Sequence, residues 1–120
     1  MLKTQQQSIG RANENLAYEY LQQQGLVLVE RNYSCRRGEI DLIMRDQDIL
    51  VFIEVRYRRH DRFGSAMESV NIQKQKRLIL TAKHYLLQTR TPLNARFDVV
   101  AISGIAADTS IEWVQNAFGT

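Results

Sequence analysis

Residues 38–58 read GEIDLIMRDQDILVFIEVRYR, and the interpretation of this stretch decides the fold. Two runs, 39–45 and 49–57, are rich in apolar and β-branched residues and flank a tight turn at Asp46–Asp48. That pattern predicts an antiparallel hairpin. The second run, ILVFIEVRY, opens apolar on both faces, as a central strand covered on both sides does. Charge then interrupts it. Side chains alternate along a strand, so Glu54 and Arg56 share one face, as do Glu39 and Asp41. Register decides whether the acids meet. A turn at Asp46–Gln47 places Asp41 opposite Phe52, on the face of Glu54. A turn at Gln47–Asp48 places Asp41 directly opposite Glu54. An odd turn without a bulge separates them. Two carboxylates a few ångströms apart in an apolar sheet need a cation or a proton. With strand carbonyls and water they form a natural site for Mg²⁺ or Mn²⁺, which prefer oxygen ligands.

Outward from the hairpin, residues 8–24 predict a helix. Ser8 can cap it, Ala12, Leu16, Ala17, Tyr20 and Leu21 recur at helical spacing, and Gly25 stops it. Residues 1–7 are expected to be flexible. Residues 26–31 predict a strand, 58–69 a charged loop, and 71–89 a second helix closed by Pro92. In that helix Ile72, Leu78, Ile79, Ala82, Leu86 and Leu87 form one stripe. Residues 96–103 and 111–115 predict two last strands. The order α-β-β-β-α-β-β makes residues 1–120 one α/β domain with a mixed five-stranded sheet flanked by helices.

The 120 residues are too few for an eight-fold β/α barrel, which needs about 200 or more. Hydrophobic residues at 44% and charged residues at 24% exclude wholesale disorder. The longest apolar run, residues 49–53, is far below the ~20 needed to span a membrane, so no membrane association is expected. The N-terminus lacks the basic-then-apolar pattern of a secretory signal. The single cysteine, Cys35, fits a reducing compartment and a cytoplasmic location, and argues against a structural zinc site. Charge is uneven. Residues 31–90 carry 13 basic and 7 acidic groups, or +6, against −1 before and −2 after. A basic middle is what a polyphosphate partner selects, whereas solubility alone is the plainer account.

Taken together, Gly10-Arg11 with Glu14, Arg31-Asn32-Tyr33, GEIDLI at 38–43, FIEVRYR at 52–58, Phe63-Gly64 and Arg96-Phe97-Asp98 resemble the uncharacterised bacterial YraN-like family, over nearly the whole chain and in order. That family in turn looks like the PD-(D/E)XK nucleases, especially archaeal Holliday junction resolvases. The resemblance implies a restriction-endonuclease-like fold, a divalent metal (Mg²⁺ or Mn²⁺) and a nucleic-acid partner. It implies Glu14 as a helix-borne acid beside the metal, and Asp41 and Glu54 as metal-binding carboxylates. It adds the main-chain carbonyl of Val55 as a further ligand. The motif's lysine falls on position 56, where this chain has Arg56. Arginine keeps its proton, its pKa staying above about 12, so it can orient water or neutralise charge but cannot act as a base. Lys74 would supply the missing ammonium if the start of the second helix points at the site.

Arg58, Arg59, His60 and Arg62 follow the catalytic strand, where they are placed to grip phosphates; Lys74, Lys76 and Arg77 extend that groove, or simply solvate their helix. Glu39 either joins the acids or pairs with Arg36, Arg37 or Arg58. His60 and His84 lack the spacing of a helical metal pair. Tyr18, Tyr20, Tyr33, Tyr85 and Trp113 are expected in the core or partly in it, rather than as base-stacking platforms. Asp98 is expected to make structural hydrogen bonds near Arg96. The leading expectation is an endonuclease hydrolysing phosphodiester bonds in branched or damaged DNA. The competing one is a nucleic-acid-binding module whose nuclease site is degenerate at Arg56. A homodimer would suit a four-way junction.

Overall fold

A computed structural model describes residues 2–58, 70–90, 94–104 and 106–119. The elements run α1 (Leu2–Gln23), β1 (Val27–Cys35), β2 (Gly38–Asp46), β3 (Ile49–Arg58), α2 (Ile72–Thr89), β4 (Asn94–Ser103) and β5 (Ser110–Phe118). The five strands form one sheet in the order β1-β2-β3-β4-β5. All neighbours are antiparallel except β3 and β4, which run parallel across the α2 crossover. The predicted α/β class, element order and mixed sheet are those observed. No helix among the described residues is long and apolar enough to cross a membrane.

The central strand is buried on both faces, as its continuous apolar run requires. Leu50 and Phe52 enter a core with Leu78, Ala82 and Tyr85 of α2. Val51 and Ile53 enter the opposite core, with Ala17 and Leu21 of α1. Each helix therefore covers one face of the sheet. Asn71 caps α2 by accepting a hydrogen bond from the Lys74 amide at 2.8 Å.

Three boundaries differ from the sequence reading. Helix α1 begins at Leu2, not Ser8, since Gln, Lys and Leu before Ser8 are all good helix formers. Strand β1 continues to Cys35 because it pairs with β2 as far as Cys35–Gly38, leaving Arg36-Arg37 as a two-residue turn. Strand β5 is extended to Ser110–Phe118 by its pairing with β4. In each strand the tertiary partner, not local propensity, sets the length.

Beyond the central strand the β1–β2 ribbon changes face. Arg31 lies over the Tyr18 ring of α1, whereas Tyr33, two residues on, packs edge-on against Tyr85 of α2. Leu42 belongs to the α1-side core and Ile40 to the α2-side core. Asn32 and Asp41 stand between these residues at one level of the ladder, and Asn32 is left-handed, with φ +53°. Asparagine tolerates that conformation better than most residues. The kink swings the tip of the ribbon onto α2.

Gly104, with φ +91°, anchors the far end of β3. Its amide donates to the Arg58 carbonyl at 3.2 Å, and its carbonyl accepts from the Tyr57 hydroxyl at 3.1 Å. A Cβ there would run into the main-chain carbonyl of Asp108. Gly104→Ala is expected to cost about 1–3 kcal/mol from backbone strain, with the clash adding to it. A urea midpoint equal to wild type would contradict this.

Candidate active site

The hairpin turn is Gln47–Asp48, because Asp46 pairs with Ile49. Of the registers open at the sequence level, this is the one that sets Asp41 opposite Glu54. Regular pairing of β2 with β3 runs from there to Leu42–Ile53. The next ladder bond is replaced: the Val55 amide donates to Asp41 Oδ2 at 2.9 Å. A residue in an extended strand points its N–H and C=O to the same side. The Val55 carbonyl therefore faces the same gap as Asp41. The kink that opens this gap is the one centred on Asn32 and Asp41.

Glu54 is 4% exposed. Burial raises its pKa first, then the charge of Asp41, and a hydrogen bond to Asp41 raises it further; it is pushed up to about 8. Burial and the neighbouring Asp41 charge therefore favour the protonated form of Glu54, hydrogen-bonded to Asp41. Two cations oppose this without overcoming it. Arg56 Nη1 and Lys74 Nζ each lie 3.5 Å from Glu54 Oε2. Lys74 thus points at the carboxylate pair from α2.

Glu14 approaches from α1. Its pKa is raised by burial and then by Asp41, against a hydrogen bond donated by the Asn32 side chain. Glu14, Asn32 and Glu39 line one cleft of about 420 Å³ together with Gly10 and Arg11. Among the described residues no three His, Cys, Asp or Glu side chains form a ready-made metal cage. The donor set suits a cation held by two carboxylates, a carbonyl and its own waters, the usual habit of Mg²⁺.

Of the expected phosphate contacts, Arg58 ends β3 and Arg77 and Lys76 are exposed on α2, while Arg59 and Arg62 lie outside the described residues. Asp98 is structural, as expected. It is fully buried and accepts from Arg96 Nε at 3.0 Å, Trp113 Nε1 at 2.9 Å and the Asn116 amide at 2.9 Å. Asn32 is the site residue that sequence reasoning missed. Its signal was an asparagine directly after the predicted strand 26–31, a residue type prone to left-handed backbone.

The raised pKa of Glu54 has a stability consequence with a definite sign. Between about pH 4.5 and 8 the folded chain keeps a proton that the unfolded chain has released, so stability falls as pH rises through that window. The loss is complete above the folded value. Glu54→Gln keeps a donor without the charge and is expected to flatten the decline by a few kcal/mol, in order of magnitude. Parallel pH profiles in urea titrations of the two proteins would refute the raised pKa of Glu54.

Fold and site define a class, a mixed α/β domain with a carboxylate pair at the broken end of its central hairpin. The chain belongs to the uncharacterised protein family UPF0102, whose model matches residues 13–102, a span holding Glu14, Asn32, Asp41, Glu54, Arg56 and Lys74. A UPF0102 protein of Nitrosomonas europaea is 53% identical, over 91% of this chain and 92% of its own. One from Pseudomonas syringae pv. syringae is 45% identical, over 98% of both chains. A third, from Psychromonas ingrahamii, is 52% identical over 92% and 89%.

Proposed function

We propose that the chain is a divalent-metal-dependent endonuclease hydrolysing phosphodiester bonds in DNA, branched or damaged, in the cytoplasm. The observation that carries this reading is the meeting of Asp41 and Glu54 at the strand break, with the Val55 amide on one oxygen and two cations on another. The resemblance of GEIDLI and FIEVRYR to PD-(D/E)XK nucleases supports it. Asp41, Glu54 and the Val55 carbonyl would hold the cation. Bound there, Mg²⁺ or Mn²⁺ would polarise the phosphate and make water a better nucleophile. The chain's own part is positional and electrostatic. Asp41 stays fixed by the Val55 amide. Arg56 and Lys74 would neutralise charge that grows on the phosphate. Glu14 and Asn32 complete the wall of the adjacent cleft.

A second reading is a non-catalytic nucleic-acid-binding module. Two observations favour it: arginine stands at position 56, and no third acid completes a cage among the described residues. The deciding test is cleavage of labelled junction, duplex and single-stranded DNA with Mg²⁺ and with Mn²⁺. Slow cutting that needs the metal supports the enzyme. Salt-dependent binding without cutting supports the module.

A further inference from the structure

The β1–β2 turn is absorbed by neither the fold argument nor the carboxylate site. Its Arg36 and Arg37 are exposed at the tip of the kinked ribbon, and the kink brings that tip against α2. Contact is close because residue 38 is glycine. Gly38 has φ +156°, and a Cβ there would stand 3.2 Å from Thr81 Oγ1 and 3.8 Å from Arg77 Cβ. Between ribbon tip and helix lies a pocket of about 350 Å³ lined by Arg36, Arg37, Lys74 and Arg77, with Glu39 as its single acid. The lining sums to +3. Among the described residues Arg36, Arg37 and Arg77 make no ion pair, so their charge is not already answered. The pocket also adjoins the carboxylates. Lys74 lines it while its ammonium lies 3.5 Å from Glu54 Oε2, and Glu39 lines both this pocket and the cleft of Glu14.

We propose that this pocket is a phosphate-binding subsite for a nucleic-acid strand. It would hold a backbone phosphate neighbouring the one placed at Asp41 and Glu54, through Arg36 and Arg37 from the turn and Arg77 from α2. Guanidinium groups grip phosphate oxygens two at a time, which a solvating surface charge does not need. Lys74 bridges the subsite and the carboxylate pair, so a strand that occupies one is led to the other. The proposal rests on the reading of the carboxylate pair as the place of chemistry, but binding and cutting can fail separately.

The test is fluorescence anisotropy of labelled duplex and single-stranded oligonucleotides against salt. Wild type is compared with Arg36→Ala/Arg37→Ala, with Arg77→Ala, and with Arg45→Ala as a control on an exposed arginine elsewhere on β2. Each lost phosphate contact should lower the log–log salt slope by about 0.9 on duplex DNA, so the double variant should lose about 1–2 and Arg45→Ala nothing. The replaced side chains are exposed, and unchanged circular dichroism confirms folding. An unchanged slope in the double variant overturns the subsite and leaves the carboxylate site untouched. A lowered slope in a protein that cuts nothing with either metal supports the subsite and overturns the nuclease reading. Amide shifts of Gly38 that respond to inorganic phosphate but not to an oligonucleotide would mark a small-anion pocket and overturn the proposal. No binding of wild type at low salt would overturn it too.

Discussion

Asp41→Ala is expected to reduce metal-dependent cleavage by more than about 10²-fold, because even residues one shell removed from a metal cost 10–100-fold when lost. Asp41 is central for two geometric reasons. It is the carboxylate hydrogen-bonded to the Val55 amide, and its side chain is hydrogen-bonded to Glu54. Without it the gap at the strand break keeps Glu54 and the Val55 carbonyl but loses the carboxylate that the Val55 amide holds in place. The same assay separates the cations. Arg56→Lys is expected to keep or raise the rate, since lysine supplies the same charge on the same strand. Lys74→Ala is expected to lower the rate by at least about 10-fold, because it removes one of two positive charges placed 3.5 Å from Glu54. Such a loss would show that a helix-borne cation shares the electrostatic work with Arg56 on the strand. Cutting that survives Asp41→Ala would show that the carboxylate pair is not its source. The binding-module reading would then replace the enzyme.

Asp98→Ala is expected to remove about 3–5 kcal/mol of stability, the range for breaking a buried charge pair from one side. Arg96 would keep its contact with Asp46 at 3.0 Å but lose its bonds to the buried carboxylate. Trp113 Nε1 and the Asn116 amide would be left without their acceptor, at a bend where Asn116 is left-handed with φ +51°. Domains of this kind are stable by only about 5–15 kcal/mol, so the variant should unfold at markedly lower urea with an unchanged slope. Asp98→Asn, which can still accept from Trp113 or the amide, should fall between. Wild-type stability in the alanine variant would mean that the buried network contributes nothing.

The distinction between Asp98 and Asp41 was partly legible in the residues themselves. Asp98 sits two places from Arg96, its strand neighbour on the same face, and a local ion pair is the simplest account of that spacing. Asp41 has no such local partner. Its role came from alternation on two strands and from the meaning of GEIDLI followed by FIEVRYR. The arginines of the basic middle divide in the same manner. Arg36 and Arg37 read in sequence only as partners for Glu39, and nothing in CRRG announces that the ribbon bends onto α2.

By itself, the sequence determined the class, the order of elements, both buried faces of β3 and the residues of the carboxylate pair. Periodicity and apolar runs are local properties, and they report which face of a helix or strand must be buried. It also showed that either even-length turn brings the acids to one face, whereas an odd turn without a bulge separates them. Only the tertiary structure chose the turn Gln47–Asp48, since both turns satisfy the local pattern and only packing on both helices separates them. Only it could show the kink at Asn32 and Asp41, which comes from Tyr33 and Ile40 burying themselves against α2 while Arg31 and Leu42 remain on the side of α1. That change of face opens the ladder at Val55 and swings the arginine turn onto α2. Lys74 reaches Glu54 because α2 packs across the same face of the sheet. These are contacts between residues far apart in the chain, and no local propensity encodes them.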